Sequence, residues 1–424
     1  MKQSLCLHGI DFKHQSQFLA YIRQLLEPCD IKYKVKERLF HDDDMYKYRQ
    51  AKLQLSSDKV KVSCIFGVMI VCDKVYPLAD IMLEFNGKDA VAVSCAKMLV
   101  RRFLAGKQRF ILEDPDLEQR IAQLRGRYYL EDLSAYNYNT AATALYCHLP
   151  WQVFAINKLW HEVLGCQDKT VLRQLRVKIR RLRSVLSLLR PLLPKERADC
   201  WKQLFKKRAG ELSPIREYDV ALLICMRIRI FRKQEQCSCL EKILQEERSQ
   251  YANDMVSRLR LNKLTGELAC FLLDIFSLKA ESAYAKMNLR DFLIQRFDSW
   301  QSKLIMLPEK YPDFQNMEQL HKIRIKVKRF RYALQCVPEL KASSSLLRSL
   351  KALQDSLGLL HDDYINDCMV ARIMAQHPDN ELLQYEGAVF SGWEQGKADA
   401  AMDGLSCQWE EFTQRLQQWA RDNL

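Results

Sequence analysis

Glycine and proline are scarce in this chain, with 13 and 11 in 424 residues. No low-complexity linker interrupts it, and no Gly/Asn-rich hairpin signals occur after about residue 140. The longer part of the chain is therefore neither a β-sandwich nor a string of tethered modules. Long apolar runs are missing too. The longest, around Phe66–Cys72, is far too short to cross a bilayer. The opening MKQSLCLHGIDFKHQ has no sustained apolar stretch of the kind a secretory signal needs. None of the 15 cysteines forms a Cys-x-x-Cys pair, and the nearest two, Cys237 and Cys239, do not have zinc-knuckle spacing. The expectation is a reducing cytoplasm, with most cysteines acting as small core hydrophobes. There is also no Gly-rich phosphate loop, no His-Glu-x-x-His and no nucleophile elbow.

What remains is apolar enough to fold and strongly basic. Hydrophobic residues make up 48% of the chain, and 66 Lys and Arg against 52 Asp and Glu leave a formal charge of +14. That balance favours a polyanionic partner and says nothing of the fold. The texture changes near residue 140. Before it, a helix is predicted at Phe12–Leu26 and strands at IKYKVKERLF, MYKYRQAKLQL, VKVSCIFGVMIV, DIMLEF and AVAVS. Further helices are predicted at Ala96–Leu104 and Leu117–Leu124, which makes 1–135 a small α+β domain. After it, apolar residues recur at helical spacing with prolines at element ends. The predicted helices are 151–164, 170–190, 196–210, 216–233, 238–262, 267–284, 289–306, 316–336, 343–357, 363–376 and a closing region at 380–421.

One absence is more informative than the rest. Residues 320–334, LHKIRIKVKRFRYAL, carry six Lys or Arg, one His and no acid. The segment has a counterpart 148 residues upstream, LRQLRVKIRRLRSVL from Leu172, which also lacks any acid. Without gaps, Arg176 matches Arg324, Val177 matches Ile325 and Lys178 matches Lys326. Arg180, Arg181 and Arg183 then fall on Lys328, Arg329 and Arg331. Each basic segment is followed by a second shared feature, in which Arg216 and Glu217 correspond to His361 and Asp362. The helical part, 140–421, is thus a duplication: repeat one at about 150–235 and repeat two at about 288–376.

On a helical wheel, Leu175, Ile179, Leu182 and Leu186 form one stripe, which must face the core. Arg173, Arg176, Arg180 and Arg183 lie within about 80° of each other on the opposite side. Their counterparts are His321, Arg324, Lys328 and Arg331, with Arg181, Arg329 and Tyr332 flanking the stripes. Like charges at this spacing repel by several tenths of a kcal/mol per pair. A solvated structural face would interleave acids. Glu217, Asp219, Asp362, Asp363 and Asp367 are placed to fold back onto one or two cations per repeat, which leaves most of the stripe without a counter-charge. Such a surface fits a repeating anion, because Arg offers forked donors, Lys a point charge and His a further donor.

The H-x-x-R helix rich in Lys and Arg, repeated and each time followed by L-x-x-x-[RHN]-[DE], resembles the CHAD family (conserved histidine α-helical domain). The stretch FSGWEQGKADAAMDGLSCQWEEF (Phe390–Phe412) is similar to that family's closing helix. The resemblance covers about 140–415. It implies two four-helix-bundle repeats around a basic groove that binds inorganic polyphosphate, with no catalysis and no cofactor. The family's histidine falls on His321, whereas the first repeat has Arg173 there, which keeps the positive charge. Lys206, Lys207, Arg348 and Lys351 are candidates to widen the basic surface. For Arg216 and His361, contact with a ligand and helix-terminal ion pairs are equally open.

CHAD domains are often fused to a CYTH domain, a triphosphate-binding tunnel whose first strand reads E-x-E-x-K. Here the nearest strand is KYKVKER, with Lys32, Lys34 and Lys36 where acids would hold a divalent ion. A degenerate or unrelated module is therefore expected, and no enzyme. Lys47, Arg49 and Lys52 are candidates for an accessory anion site, and His41-Asp42-Asp43-Asp44 for a polar turn. Two other functions stay open. One is RNA or DNA binding, although Phe330 falls on the apolar side and only Tyr332 lies beside the stripe. The other is an N-terminal triphosphate or polyphosphate hydrolase with the helical part as substrate receptor. The expected location is the cytoplasm, including polyphosphate granules.

Overall fold

The structure, a computed structural model, describes residues 2–12, 14–26, 35–42, 46–53, 59–71, 74–116, 120, 140–166, 168–258, 262–278, 284–310, 316–335 and 343–423. It is mainly helical, with a small antiparallel sheet in the N-terminal part. The strands are β1 (Lys2–Gly9), β2 (Val35–Asp42), β3 (Tyr46–Leu53), β4 (Val60–Val71), β5 (Lys74–Asn86) and β6 (Phe110–Glu113). They are ordered β2-β3-β4-β5-β1-β6, with every neighbouring pair antiparallel. Helices α1 (Gln15–Leu26) and α2 (Ala90–Phe103) belong to the same region. The remaining helices run from α3 (Ala141–Cys166), α4 (Lys169–Leu188), α5 (Lys195–Glu211), α6 (Ser213–Phe231) and α7 (Cys239–Arg258) to α8 (Lys263–Ser277). They continue as α9 (Leu289–Ile305), α10 (Leu307–Lys310), α11 (Met317–Gln335), α12 (Ser344–Gln376), α13 (Glu381–Asp403) and α14 (Leu405–Asn423).

Two compact units emerge. The first contains Met1–Lys178, Pro191–Arg197 and Arg258–Lys286. The second contains Ile179–Arg190, Ala198–Ser257 and Met287–Leu424, so the division passes through α4 and α5. In the first unit the side of β6 away from β1 is supplied with hydrogen bonds from helices. Asn157 of α3 accepts from Leu112 N at 2.6 Å, and Asn262 accepts from Phe110 N at 3.3 Å. Thr265 of α8 donates to Phe110 O at 3.3 Å and accepts from Asn157 Nδ2 at 2.8 Å. Buried polar side chains thereby replace a missing neighbouring strand, which an edge in an apolar setting requires. In the second unit, Phe297 of α9, Phe330 of α11 and Trp419 of α14 pack edge to face, with centroids 5.5–6.2 Å apart.

Several elements differ from their sequence-based expectation. AVAVS is the first turn of α2, because Asp89 accepts hydrogen bonds from Val91 N and Ala92 N and so starts a helix. β1 and β6 carry no strand prediction. Pro150 lies inside α3 instead of at its boundary, with Leu149 and Pro150 both buried. The helices expected at 343–357 and 363–376 are one continuous α12, because Gly358 does not break the chain there. The closing helix expected at 380–421 is two, divided at Gly404. The helix predicted at Leu117–Leu124 lies almost wholly outside the described residues, as do Lys32, Lys34, Asp43 and Asp44. The described cysteines are less buried than expected. Of the free thiols, Cys6, Cys64 and Cys225 are buried, whereas Cys200, Cys368 and Cys407 are exposed. No helix among the described residues is long and apolar enough to cross a membrane.

Candidate functional site

The two basic helices start where short polar side chains cap them. Asp168 accepts from Thr170 N and Val171 N at the start of α4, and Asn316 accepts from Glu318 N and Gln319 N at the start of α11. Their apolar stripes are buried as the wheel requires. Leu175, Ile179, Leu182 and Leu186 anchor α4, and Leu320, Ile323, Val327, Phe330 and Leu334 anchor α11. With those positions fixed against the core, the cations are directed to the remaining face.

In the second unit this produces a cavity of about 390 Å³. The C-terminal half of α4 contributes Arg180 and Arg183, and α11 contributes His321, Lys328, Arg329 and Tyr332. Arg190, Lys202 of α5, and Arg296 and Trp300 of α9 complete the charged and aromatic lining. Seven Lys or Arg side chains thus face one cavity, and no acid is among its described lining residues. Several are held in place by neighbours. Arg296 donates from Nε to Leu188 O at 2.9 Å and from its terminal nitrogen to Ser187 O at 3.0 Å. These carbonyls end α4, where a helix lacks internal donors and favours a cation. The same guanidinium lies 5.7 Å from the Trp300 ring centroid. Arg180 donates from Nε to the Tyr332 hydroxyl at 3.3 Å and lies 5.8 Å from that ring's centroid.

The electrostatics are those of crowded cations, of which Arg190 is paired with Asp199 at 3.1 Å. Burial, followed by Arg329 and Arg180, disfavours the charge on Arg183. Burial does the same to Arg329. Guanidinium groups nevertheless stay protonated at neutral pH, so the strain remains as positive potential. His321 is shifted down by burial, Arg324 and Lys328. His361, whose Nδ1 lies 3.3 Å from His321 Nδ1, is pushed down to about 3 by burial, Arg324, His321 and Lys328. The imidazole pair is therefore neutral at pH 7 and available as donors and acceptors.

Six of the eleven sequence-predicted residues line the cavity: Arg180, Arg183, His321, Lys328, Arg329 and Tyr332. The others are placed differently. Arg324 bonds Asp362 at 3.3 Å and Arg331 donates to Gln354 at 2.9 Å, both on α12. Arg181 is half-buried and does not line the cavity. Arg173, exposed, and Arg176, half-buried, lie on the part of α4 that belongs to the first unit. Among the weaker candidates, Lys206, Lys207, Arg348 and Lys351 are exposed, Arg216 is half-buried, and none lines the cavity. His361 does not line it either but is paired with His321. The anticipated folding back of an acid occurs at Asp362, whereas Asp219 turns to Arg248 at 2.7 Å and Asp367 to Ser391 at 2.5 Å. Sequence reasoning missed Arg190, Lys202, Arg296 and Trp300. They lie outside the repeated motif, and single cations on α5 or α9 carry no distinguishing pattern.

Comparison with known proteins bears on this arrangement. A family model described as the CHAD domain matches residues 153–371. The crystal structure of the CHAD domain from the plant Ricinus communis is similar at 22% identity and a TM-score of 0.52, covering 64% of this chain and 92% of that one. PptA from Streptomyces chartreusis is similar at 15% identity and a TM-score of 0.48, covering 64% of this chain and all of that one, 100%. No curated protein is a significant match.

Proposed function

The chain belongs to the CHAD family, and from that premise we propose that it binds inorganic polyphosphate, without hydrolysing it, in the cavity between the end of α4 and α11. The observation that carries this is a cavity of about 390 Å³ faced by seven Lys or Arg with no acid in its described lining. A chain of phosphates would add the counter-charge that the described lining lacks, where Asp199, outside that lining, pairs with Arg190 at 3.1 Å. Charge-assisted hydrogen bonds from guanidinium forks are the strong kind, and the helices hold those forks in place before the ligand arrives. Sulfate or orthophosphate would occupy the same donors singly. The protein would act in the cytoplasm, including polyphosphate granules.

Nucleic acid is the competing polyanion, and the presence of two aromatic rings, Tyr332 and Trp300, speaks for it. Both rings already carry an arginine, Arg180 and Arg296. A base would have to displace a guanidinium to stack, whereas a phosphate chain would not.

Calorimetric titration with long-chain polyphosphate at several salt concentrations tests the proposal. The logarithm of the affinity is expected to fall linearly with the logarithm of salt, as counterions are released. Replacing Arg180 and Lys328 together by Glu is expected to abolish binding while the helical circular dichroism is unchanged. Unaltered affinity in that variant, or displacement of polyphosphate by RNA at equal phosphate concentration, would overturn it. Phosphate release from polyphosphate with Mg²⁺ or Mn²⁺, lost on deleting residues 1–135, would overturn the non-catalytic part.

A further inference from the structure

The first unit holds a cavity of its own, of about 510 Å³, and every residue of its described lining belongs to that unit. The turn between β5 and α2 supplies Lys88, and α2 supplies Lys97. The first turn of α5 supplies Arg197, and the end of α8 supplies Asp274 and Ser277. The turn is seated close to α8, because a Cβ at Gly87 would lie 2.4 Å from Phe276 O. Only glycine allows that approach, and it keeps Lys88 near the groups at the end of α8.

One carboxylate serves three cations here. Asp274 Oδ1 pairs with Lys97 and, at 3.6 Å, with a terminal nitrogen of Arg197. That same nitrogen donates to Ser277 Oγ at 3.1 Å, and Ser277 in turn donates to Asp274 O at 2.8 Å. Nε and the other terminal nitrogen of Arg197 make no hydrogen bond among the described residues, so part of its fork is unspent. Lys88 is exposed and pairs with no acid among the described residues. Its neighbour Asp89 is taken by Lys59 at 3.0 Å and by Val91 N and Ala92 N. An ion pair joining α2 to α8 needs only Lys97 and Asp274. The further cations leave the lining with an excess of positive charge. Ala90, Val93, Pro194 and Leu278 make its apolar part. A volume within about 300–1,000 Å³, apolar walls and a few convergent polar groups are the features of a small-molecule pocket.

We infer that this pocket binds a small phosphate monoester. Its phosphate dianion sits against Lys88, Lys97 and the unspent edge of Arg197, where the hydrogen bonds are charge-assisted. Its carbon part covers the apolar wall. Asp274 stands beside those cations and repels a further phosphate, which favours a single phosphate group over a polymer. The site goes beyond the polyphosphate reading and does not depend on it. Lys88 and Lys97 lie outside residues 153–371, the part of the chain that the family model matches, so the pocket is not a copy of the family's basic groove.

The test uses phenyl phosphate as probe, with orthophosphate as its comparison, in calorimetric titrations of the full chain. Both are titrated into the variant carrying Arg180→Glu and Lys328→Glu, so that the cavity beside α11 does not contribute. Phenyl phosphate is expected to bind there about fivefold or more tighter than orthophosphate, because its ring buries apolar surface. Adding Lys88→Glu or Arg197→Gln is expected to weaken phenyl phosphate about tenfold or more. Lys88→Glu carries the decisive result, since an exposed side chain with no partner can be changed without loss of fold, which an unaltered melting temperature checks. In the otherwise wild-type chain, Lys88→Glu is expected to leave long-chain polyphosphate affinity within about twofold. No binding of phenyl phosphate to the Arg180→Glu, Lys328→Glu variant, unaltered affinity after Lys88→Glu, or orthophosphate binding as tightly would overturn the monoester site. If phenyl phosphate behaves as expected and wild type does not bind polyphosphate, the polyphosphate proposal falls alone. If polyphosphate binds and phenyl phosphate does not, the monoester site falls alone.

Discussion

The two basic helices share a sequence pattern but not a set of duties. Arg183 of α4 lines the cavity, while its counterpart Arg331 of α11 is spent on Gln354. The inequality runs the other way two positions earlier, where Arg329 lines the cavity and its counterpart Arg181 does not. Only Arg180 and Lys328 keep matching places there, along with Ser184 and Tyr332 at the next matched pair. Around α11 the neighbours on α12 supply Gln354, His361 and Asp362. Duplication therefore gave a common scaffold, two core stripes with cations opposite. The partners on the next helix then decided which cations remained directed at the cavity.

The largest test of this inequality removes one member of each matched pair. Arg183→Gln and Arg329→Gln are each expected to weaken polyphosphate binding by about tenfold, the loss of one hydrogen bond to a charged group. Arg181→Gln and Arg331→Gln are expected to weaken it by less than about threefold, through long-range charge alone. Titration at one fixed salt concentration separates the two outcomes. Four equal losses would mean that the helices act as identical copies and that the cavity lining does not select among their cations.

How much of this was legible in the residues follows from what each signal encodes. The period of Leu175, Ile179, Leu182 and Leu186, and of Ile323, Val327 and Phe330, fixed both the helices and the face their cations take, because burial imposes the period. That was enough to find Arg180, Arg183, Lys328 and Arg329. It could not tell Arg329 from Arg331. The difference depends on Gln354, a residue on another helix that no spacing rule connects to α11. Arg296 and Trp300 were invisible for the same reason, since the bonds of Arg296 to the end of α4, and its place beside the Trp300 ring, exist only once the helices pack. In the N-terminal part, AVAVS looks like alternation over five residues, and Asp89 decides against it through two hydrogen bonds from α2. Short windows lose to caps.

A smaller effect separates the copies by titration, since only α11 presents a histidine to the cavity. His321 and His361 face Arg324 and Lys328 from α11, with Asp362 of α12 already bonded to Arg324. Burial and those cations shift both imidazoles down, His361 to about 3. Without ligand, the unfolded chain takes up protons below roughly pH 6.5 that the folded pair refuses. Stability should therefore be unaffected by this pair above that pH and should fall as pH drops below it. A bound polyanion cancels the surrounding positive potential and raises the affinity of the pair for a proton. Polyphosphate affinity should then rise by roughly threefold from pH 8 to pH 6, with proton uptake on binding. Calorimetry in buffers of different ionisation enthalpy measures that uptake directly. It should vanish in His321→Gln combined with His361→Gln, and equal uptake in that double variant would place the proton elsewhere.

The smallest expected effect concerns the position where the second copy carries its histidine. Arg173 stands where α11 has His321, so Arg173→His makes the two sequences alike. If sequence correspondence set function, the change would create a second titrating site and alter both affinity and its pH dependence. The surroundings argue against that. Arg173 is exposed, with the ordinary solvent screening that makes an isolated surface charge worth little, whereas His321 is half-buried against a second imidazole. Arg173→His is therefore expected to change polyphosphate affinity by less than about twofold at moderate salt and to leave the pH profile as it was. A new proton uptake in this variant would show that position along the helix outweighs the setting in which each copy sits. Its absence would assign the histidine's part to the pairing with His361, which the first copy has no means to reproduce by one substitution.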